Sequence, residues 1–290
     1  MSTFRRFLPL LVLFMGSVLP AAAAEGGAHK LPLNAEELHG VLPITNSTIM
    51  VWIATLIIVL FCRAAAGKIS MVPAGFQNFA EWLVEGLYNF FGSLLGDHLI
   101  KKTFWFFGGT FLFILITNWL ALIPGVGTLG WTIEHEGGGQ HFLPLMRGGN
   151  ADLNMTSAMA VVFMICWTYW AIKENGLKGF VAHIFAPKGK FQGIMAMGMV
   201  VIFFLVGVLE VISILIRPVA LSFRLFGNIY GGEQALESLM HLVPKTFAFM
   251  PALPFYFMEL LVGLIQALVF SLLAAIFLAL ICDHGDEEHH

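Results

Sequence analysis

The sequence predicts an all-α integral membrane protein with five membrane-crossing helices and one amphipathic surface helix, in which the last two crossings form a hairpin. Hydrophobic residues make up 58% of the 290 residues, charged residues only 11%, and the mean hydropathy is +0.84. A soluble domain carries about 25% charged residues, so a soluble fold could not cover this much apolar surface. The formal net charge of −3 also excludes a nucleic-acid-binding protein, which needs clustered cations to neutralise phosphates.

Five apolar stretches predict the crossings, because each of them, with its flanks, can span about 30 Å of hydrocarbon. They are residues 45–62, 103–123, 155–172, 193–242 (interrupted) and 253–282. Together they define a membrane domain over residues 45–282, with the hairpin at about 193–282. The chain contains no internal repeat, so the pattern does not favour an inverted-repeat transporter.

Residues 1–24 have the layout of a secretory signal peptide. Arg5 and Arg6 precede an apolar core that ends in small residues, and such a segment is too short and wrongly flanked for a stable crossing. An uncleaved extra helix is the alternative. Cleavage would leave residues 25–44 as a tail on the outer side of the membrane.

The charges of the loops predict the orientation. Loops 63–103 and 173–192 each contain four Lys or Arg residues, whereas loop 124–154 contains only Arg147 and the tail contains only Lys30. Loops rich in cations stay in the cytoplasm. We therefore expect the N-terminus outside and the C-terminus, with its acidic tail 283–290, in the cytoplasm.

A further helix is predicted at about residues 75–95, between the first two crossings. Its apolar side chains recur at spacings of three and four residues: Phe76, Phe79, Leu83, Leu87 and Phe90. The polar residues Gln77, Glu81 and Glu85 lie off that stripe. A helix with this pattern is typical of one that rests on the cytoplasmic membrane surface or on a partner subunit.

Four ionisable side chains lie deep in the last two apolar stretches: Glu210, Arg224, Glu233 and Glu259. A charge at mid-bilayer costs about 2.5–3.5 kcal/mol on insertion scales, so these groups must face protein, water or a partner. Arg217 lies seven residues from both Glu210 and Arg224, which puts all three on one stripe of a continuous helix. A purely structural ion pair is the simpler alternative, but it needs matched charges, whereas here three acids surround one arginine unevenly.

Pro244, Pro251 and Pro254, at the break between the last two apolar stretches, mark the turn of the predicted hairpin. In an antiparallel pair, residues equidistant from the turn lie at similar depth. Glu233 and Glu259 are equidistant from residue 246, and Arg224 and Gln266 from residue 245. The sequence therefore predicts two carboxylates at one level toward the outer side, the arginine and the glutamine deeper, and Glu210 near the inner end. Two carboxylates at one level are expected to share a proton.

Motifs for metal binding or nucleophilic catalysis are weak. His135, Glu136 and His141 form HE-x4-H, not HExxH, and they lie in a polar loop. No G-x-S-x-G string occurs, so an intramembrane protease finds little support. The tail DHGDEEHH is more simply a solvated acidic end than a metal site. The cysteines lack CxxC spacing, and we expect no metal and no cofactor.

Two segments of the hairpin carry a resemblance to a known family. Residues 216–233, IRPVALSFRLFGNIYGGE, closely resemble the signature of subunit a of F-type rotary ATP synthases, and residues 263–281, GLIQALVFSLLAAIFLALI, resemble the last helix of that family. Weaker similarities are VPAGFQNFAEWLVE, NWLALIPG and NADLNMTSAMA. The resemblance covers about residues 45–282, and R-L-F-G-N within a membrane helix is its most specific part.

The resemblance implies a role for each polar residue of the hairpin. Arg224 matches the essential stator arginine, and Glu210 matches an acid of the half-channel open to the cytoplasm. The half-channel open to the outside is matched by Asn228, Glu233, Glu259 and Gln266. Members of the family often have a His where this chain has Glu233 or Glu259. The resemblance also implies that the last two helices are long and tilted and pack on a rotor ring.

The implied function is that of a proton-translocating stator subunit in the bacterial inner membrane. Two offset half-channels and the arginine would act on the carboxylates of the ring, coupling proton flow to rotation and ATP synthesis, with no ATP hydrolysis site in this chain. The implied partners are a rotor ring of small hairpin subunits (c), the peripheral stalk subunit b, the rest of the complex and the lipid bilayer. A self-contained ion channel or secondary transporter remains the alternative, because buried acids and an arginine mark proton paths generally.

Overall fold

The structure is a computed structural model and describes residues 35, 45–67, 75–123, 126, 129–134, 140–185, 194–242, 244 and 249–282. Its elements are α1 (Asn46–Ala66), α2 (Phe76–Ala121), β1 (Gly130–Glu134), β2 (Gln140–Pro144), a 3-10 turn (Gly149–Ala151), α3 (Leu153–Phe185), α4 (Ile194–His241) and α5 (Phe249–Cys282). The predicted signal peptide, nearly all of the predicted outer tail and the acidic C-terminal tail lie outside the described residues.

Five helices of the described residues are long and apolar enough to cross a membrane, so the prediction of an all-α membrane protein is confirmed. Two of them bend at a glycine. Gly96 in α2 has φ 72° and Gly176 in α3 has φ 68°, a left-handed conformation that glycine adopts without steric cost. The bend in α2 separates a first part, residues 76–95, from the apolar part that follows it.

The first part of α2 uses its predicted apolar stripe only in part to pack on the rest of the chain. Phe76 and Phe79 are about half exposed, at 46% and 50%. The neighbouring stripe packs inward instead, with Phe91 at 1% and Leu95 at 5% exposure. The predicted stripe is therefore only partly on the exposed surface, because the Phe76 ring also contacts Phe61 of α1, with 5.3 Å between the ring centres.

The core lies where α2 and α3 meet the long helices α4 and α5. Its largest fully buried side chains include Phe107, Phe163, Trp167 and Leu278. Trp167 of α3 also donates a hydrogen bond from Nε1 to the carbonyl oxygen of Phe277 in α5, at 3.0 Å. Because lipid is as apolar as these side chains, such packing and hydrogen bonds hold membrane helices together.

Two polar side chains of α2 fix the position of α5. The Asn118 Nδ2 group donates to the carbonyl oxygen of Gly263 at 3.0 Å, and the Trp119 Nε1 group donates to that of Leu260 at 3.1 Å. Both contacts lie within one helical turn of Glu259. They therefore set the depth and rotation of α5 at the point where it contributes an acid.

A β-hairpin lies in the region that the sequence predicts to be a polar loop. Strands β1 and β2 pair antiparallel from Gly130 opposite Pro144 to Glu134 opposite Gln140. His141 of the HE-x4-H string is in β2, whereas His135 and Glu136 lie outside the described residues. The hairpin returns the chain to the helices, and residues 147–152, which we call the buried loop, are all buried among them.

Candidate functional site

The buried loop is wedged between helices and held by polar contacts. Its 3-10 turn contacts α1, α2, α3 and α4. Asp152 accepts a hydrogen bond from Ser47 Oγ of α1 at 2.8 Å, and the Asn150 Nδ2 group donates to Asn118 Oδ1 of α2 at 2.6 Å. Because both ends of these bonds are buried, the loop has little freedom to move.

The loop presents an arginine to an acid of α4. Arg147 is only 4% exposed, and its Nε lies 3.9 Å from Glu233 Oε2. The next residue, Gly148, approaches so closely that a Cβ there would lie 2.9 Å from Glu233 Oε1. The Glu233 carboxylate therefore rests directly on the loop backbone.

A second acid reaches the same place from α5. Glu259 is 5% exposed, and its carboxylate packs against Gly232, where it occupies the space that a Cβ would need. The Glu259 carboxylate therefore lies beside the residue that precedes Glu233 in α4. We call Arg147, Glu233 and Glu259 the carboxylate cluster.

The charges of the carboxylate cluster define its chemistry. Two carboxylates that interact in a buried site cannot both ionise freely, so the pair titrates as a unit. The one arginine of the cluster can balance only one of the two carboxylates. Glu237, one turn along α4 from Glu233, adds a further negative charge nearby. The arrangement suits a site that accepts and releases one proton.

The opposite face of α4 is open and carries Arg224. The side chain of Arg224 is exposed, and none of the described residues forms an ion pair or hydrogen bond with it. Small exposed residues flank it on the same face, namely Ala220, Gly227 and Gly231, together with Asn228. Small side chains allow another helix to approach closely in a membrane.

Arg224 also lines a cavity of about 400 Å³ between α4 and α5, which we call the arginine cavity. Arg217 lines the same cavity, and its Nη2 lies 2.8 Å from Glu210 Oε1. The Arg217 guanidinium also lies 4.8 Å from the centre of the Phe277 ring, a cation–π contact with α5. Two arginines therefore line the cavity: Arg217 is paired with Glu210, and Arg224 is exposed without an ion pair to any of the described residues.

The carboxylate cluster and the arginine cavity lie on different sides of α4. Glu233 follows Arg224 by nine residues, which is about half a turn around the helix and about 13 Å along its axis. The structure thus brings Glu233 and Glu259 together, as their equal distance from the turn predicts, and pairs Glu210 with Arg217. Gln266 is half-buried on α5.

Arg147 is a site residue that the sequence does not reveal, since there it is only the single cation of a loop. The string M-R-G-G-N contains a usable indication, because two consecutive glycines permit close approach of the backbone. The pairing of Arg147 with Glu233 joins residues 86 positions apart. Nothing in the local sequence specifies that partner.

The fold and the site define a class, that of multi-pass membrane proteins with ionisable groups inside a helical hairpin, the arrangement typical of ion pathways. The family model described as ATP synthase A chain matches residues 48–279. The chain therefore belongs to the ATP synthase A chain family.

Curated relatives agree with the family. The chain is 30% identical over 264 residues to "ATP synthase subunit a" of Solidesulfovibrio magneticus, a match that covers 91% of this chain and 94% of the relative. It is 32% identical over 243 residues to "ATP synthase subunit a 1" of Pelobacter propionicus, with 84% and 90% covered. The family predicted from the sequence is confirmed, and with it the proton-translocating stator role in the F-type ATP synthase.

Proposed function

We propose that this member of the ATP synthase A chain family translocates protons through two offset half-channels that meet the rotor on either side of Arg224. The observation that supports the proposal best is the placement of ionisable groups on α4. An enclosed carboxylate cluster lies on one side of the helix, and the arginine cavity lies on the other side and at a different height. Two separate sites on opposite sides of one helix are what a pathway without a direct leak requires.

The outer half-channel consists of the carboxylate cluster with Asn228 and Gln266. A proton that enters it binds to the Glu233 and Glu259 pair and passes to a carboxyl group on the ring. A neutral carboxylic acid can then rotate through lipid, whereas a carboxylate cannot do so cheaply. Asn228 lies one turn from Arg224 on the exposed face, where it can take part in the transfer to the ring.

The inner half-channel consists of the arginine cavity with Glu210. A ring carboxyl that arrives next to Arg224 meets a cation, which favours its ionised form, so its proton leaves through the cavity. Arg224 suits this role because a guanidinium stays charged where a buried lysine could lose its proton. Each proton crossing delivers about 2.3 kcal/mol per 100 mV of membrane potential, so several crossings drive one ATP synthesis.

The partners follow from the open faces of the chain. The face with Ala220, Arg224, Gly227 and Gly231 takes the ring of small hairpin subunits (c), because its small side chains permit close helix contact. The exposed apolar stripe of α2, with Phe76 and Phe79, rests on the membrane surface or on the peripheral stalk subunit b.

The orientation follows from the distribution of charge. The cation-rich segments 63–103 and 173–192 lie in the cytoplasm, and the β-hairpin and the buried loop lie on the outer side of a bacterial inner membrane. Residues 1–24 act as a signal peptide, which directs the new N-terminus outward. The carboxylate cluster then opens to the outer side, as the proposed route requires.

Proton flux through the chain alone discriminates between the stator and a self-contained channel. We expect liposomes that contain only the purified chain to pass protons hardly faster than empty liposomes under a potassium-diffusion potential. Liposomes that contain the complete membrane sector, with its ring, should conduct. Equal flux with and without the ring would contradict the proposal and favour a self-contained channel.

A further inference from the structure

The proton route proposed above passes through the two acids of the carboxylate cluster and gives no role to its cation, Arg147 of the buried loop. Arg147 is 4% exposed and faces Glu233 across 3.9 Å, and the ring of Tyr230 lies 6.0 Å from its guanidinium carbon. A buried cation persists only where its environment compensates its charge. The loop that carries it is fixed to α1 through Asp152 and to α2 through Asn150.

We propose that Arg147 is a positioning residue of the outer half-channel, which holds the Glu233 carboxylate in place and sets the proton content of the Glu233 and Glu259 pair. The inference rests on the proposed function and deepens it, because it assigns to the buried loop the control of proton entry. Arg147 acts through Glu233 and does not itself carry the proton.

The contacts of Glu233 support this role. The cation comes from the loop, Glu259 comes from α5, and Glu237 lies on the same helix as Glu233. Without Arg147 the three acids would face one another with no positive charge from the loop. With Arg147 present, one negative charge is balanced, so Arg147, Glu233 and Glu259 together are neutral when the two acids hold one proton.

The loop backbone adds a geometric constraint. Gly148 contacts both α2 and the Glu233 carboxylate, since a Cβ there would lie 2.8 Å from Ala121 Cβ and 2.9 Å from Glu233 Oε1. Gly149 is equally crowded, since a Cβ there would lie 2.8 Å from Val51 Cγ2 and 3.0 Å from Thr117 Cγ2. Its neighbours, however, are apolar carbons. The two glycines therefore offer a matched pair: one touches the acid and the other does not.

The first experiment replaces the cation in the whole ATP synthase, measured as ATP-driven proton pumping in inverted vesicles over a range of pH. We expect Arg147→Gln to lower the rate at least tenfold and to move the pH dependence of pumping to higher pH, because the acids then hold their proton more tightly. Arg147→Lys should restore the pH dependence and most of the rate. In a Glu233→Gln background, Arg147→Gln should cause little further loss.

The second experiment changes no charge and covers the case in which Arg147→Gln fails to assemble. Gly148→Ala should lower the rate and alter its pH dependence, whereas Gly149→Ala should leave the pH dependence unchanged. The amount of the chain in the purified complex serves as the assembly control for every variant.

The outcomes separate this inference from the proposed function. If Arg147→Gln pumps like the wild type, if its effect adds fully to that of Glu233→Gln, or if Gly148→Ala matches Gly149→Ala, the role of Arg147 is refuted. If Arg224→Ala in the same vesicles still couples ATP hydrolysis to pumping, the proposed function itself fails.

Discussion

The carboxylate cluster and the arginine cavity both place charged side chains within membrane helices, but their charges differ in exposure. The cluster is enclosed: Arg147 and Glu259 are 4% and 5% exposed, and a loop and two helices contribute to it. The cavity is open: the side chain of Glu210 is 43% exposed, and Arg224 lies on an uncovered helix face. A buried charge must be compensated by groups of the same chain, whereas an exposed charge can be solvated by water or paired with a group of a partner.

The difference assigns separate tasks to the two regions. A fixed, internally balanced cluster suits the holding of a proton at a defined place. An open arginine suits a partner that arrives, reacts and leaves, because no contact within the described part of the chain has to break first. Substitutions in the two regions should therefore fail in different ways, and three of them test this contrast.

The largest effect is expected for Arg224→Ala. Without the cation, nothing favours ionisation of the arriving ring carboxyl or separates the two half-channels, so coupled ATP synthesis should stop while the complex still assembles. ATP synthesis in energised inverted vesicles is the measurement. Val219→Ala is the control, because Val219 is 51% exposed on α4 but lies about 140° around the helix from Arg224. Normal synthesis in Arg224→Ala would refute the assignment of the arginine.

A smaller effect is expected in the carboxylate cluster. Glu233→Gln and Glu259→Gln each keep the size of the side chain but remove one proton acceptor. In either single variant the remaining acid can still accept a proton. The double variant should lower proton pumping by about 10²-fold or more, at the low end of what a positioned proton-transfer group contributes, and by more than either single variant. Glu237→Gln provides the control for loss of a nearby charge. Equal rates in the two singles and the double would contradict the shared site.

The smallest effect is expected for Arg217→Gln. Arg217 makes a partly exposed ion pair with Glu210 and one cation–π contact with Phe277. Removing these two contacts should therefore cost about 1 kcal/mol of stabilisation or less. That corresponds to at most a roughly fivefold fall in pumping rate. Glu210→Gln in the same assay shows how much of the fall in pumping rate comes from losing the ion pair between Arg217 and Glu210. A complete loss in Arg217→Gln would instead make Arg217 the cation that acts on the ring.

Parts of the site were open to prediction because they depend on distance along one helical pair. The prolines after α4 locate the turn, and the equal distances from residue 246 place Glu233 opposite Glu259 before any coordinates are known. The same periodicity puts Glu210, Arg217 and Arg224 on one face of α4. These inferences succeed because helix geometry repeats and a hairpin has a single register.

Other parts were not open to prediction because they depend on contacts between distant segments. Arg147 lies in the buried loop that follows a hairpin of two five-residue strands, and nothing near it in sequence indicates that it is buried. The stripe of α2 that packs inward, with Phe91 and Leu95, is also set by neighbouring helices, since both stripes are apolar.

The sequence by itself determined the membrane class, the five crossings, the family and the acids and arginine of the hairpin. Those properties follow from composition, helical periodicity and local motifs, which depend only on the order of residues in the chain. Only the tertiary structure decided that a buried loop brings Arg147 to Glu233, that Arg217 pairs with Glu210, and that Arg224 faces outward. Such choices depend on which surfaces meet in three dimensions, because the compensation of a buried charge comes from whatever group lies within a few ångströms of it.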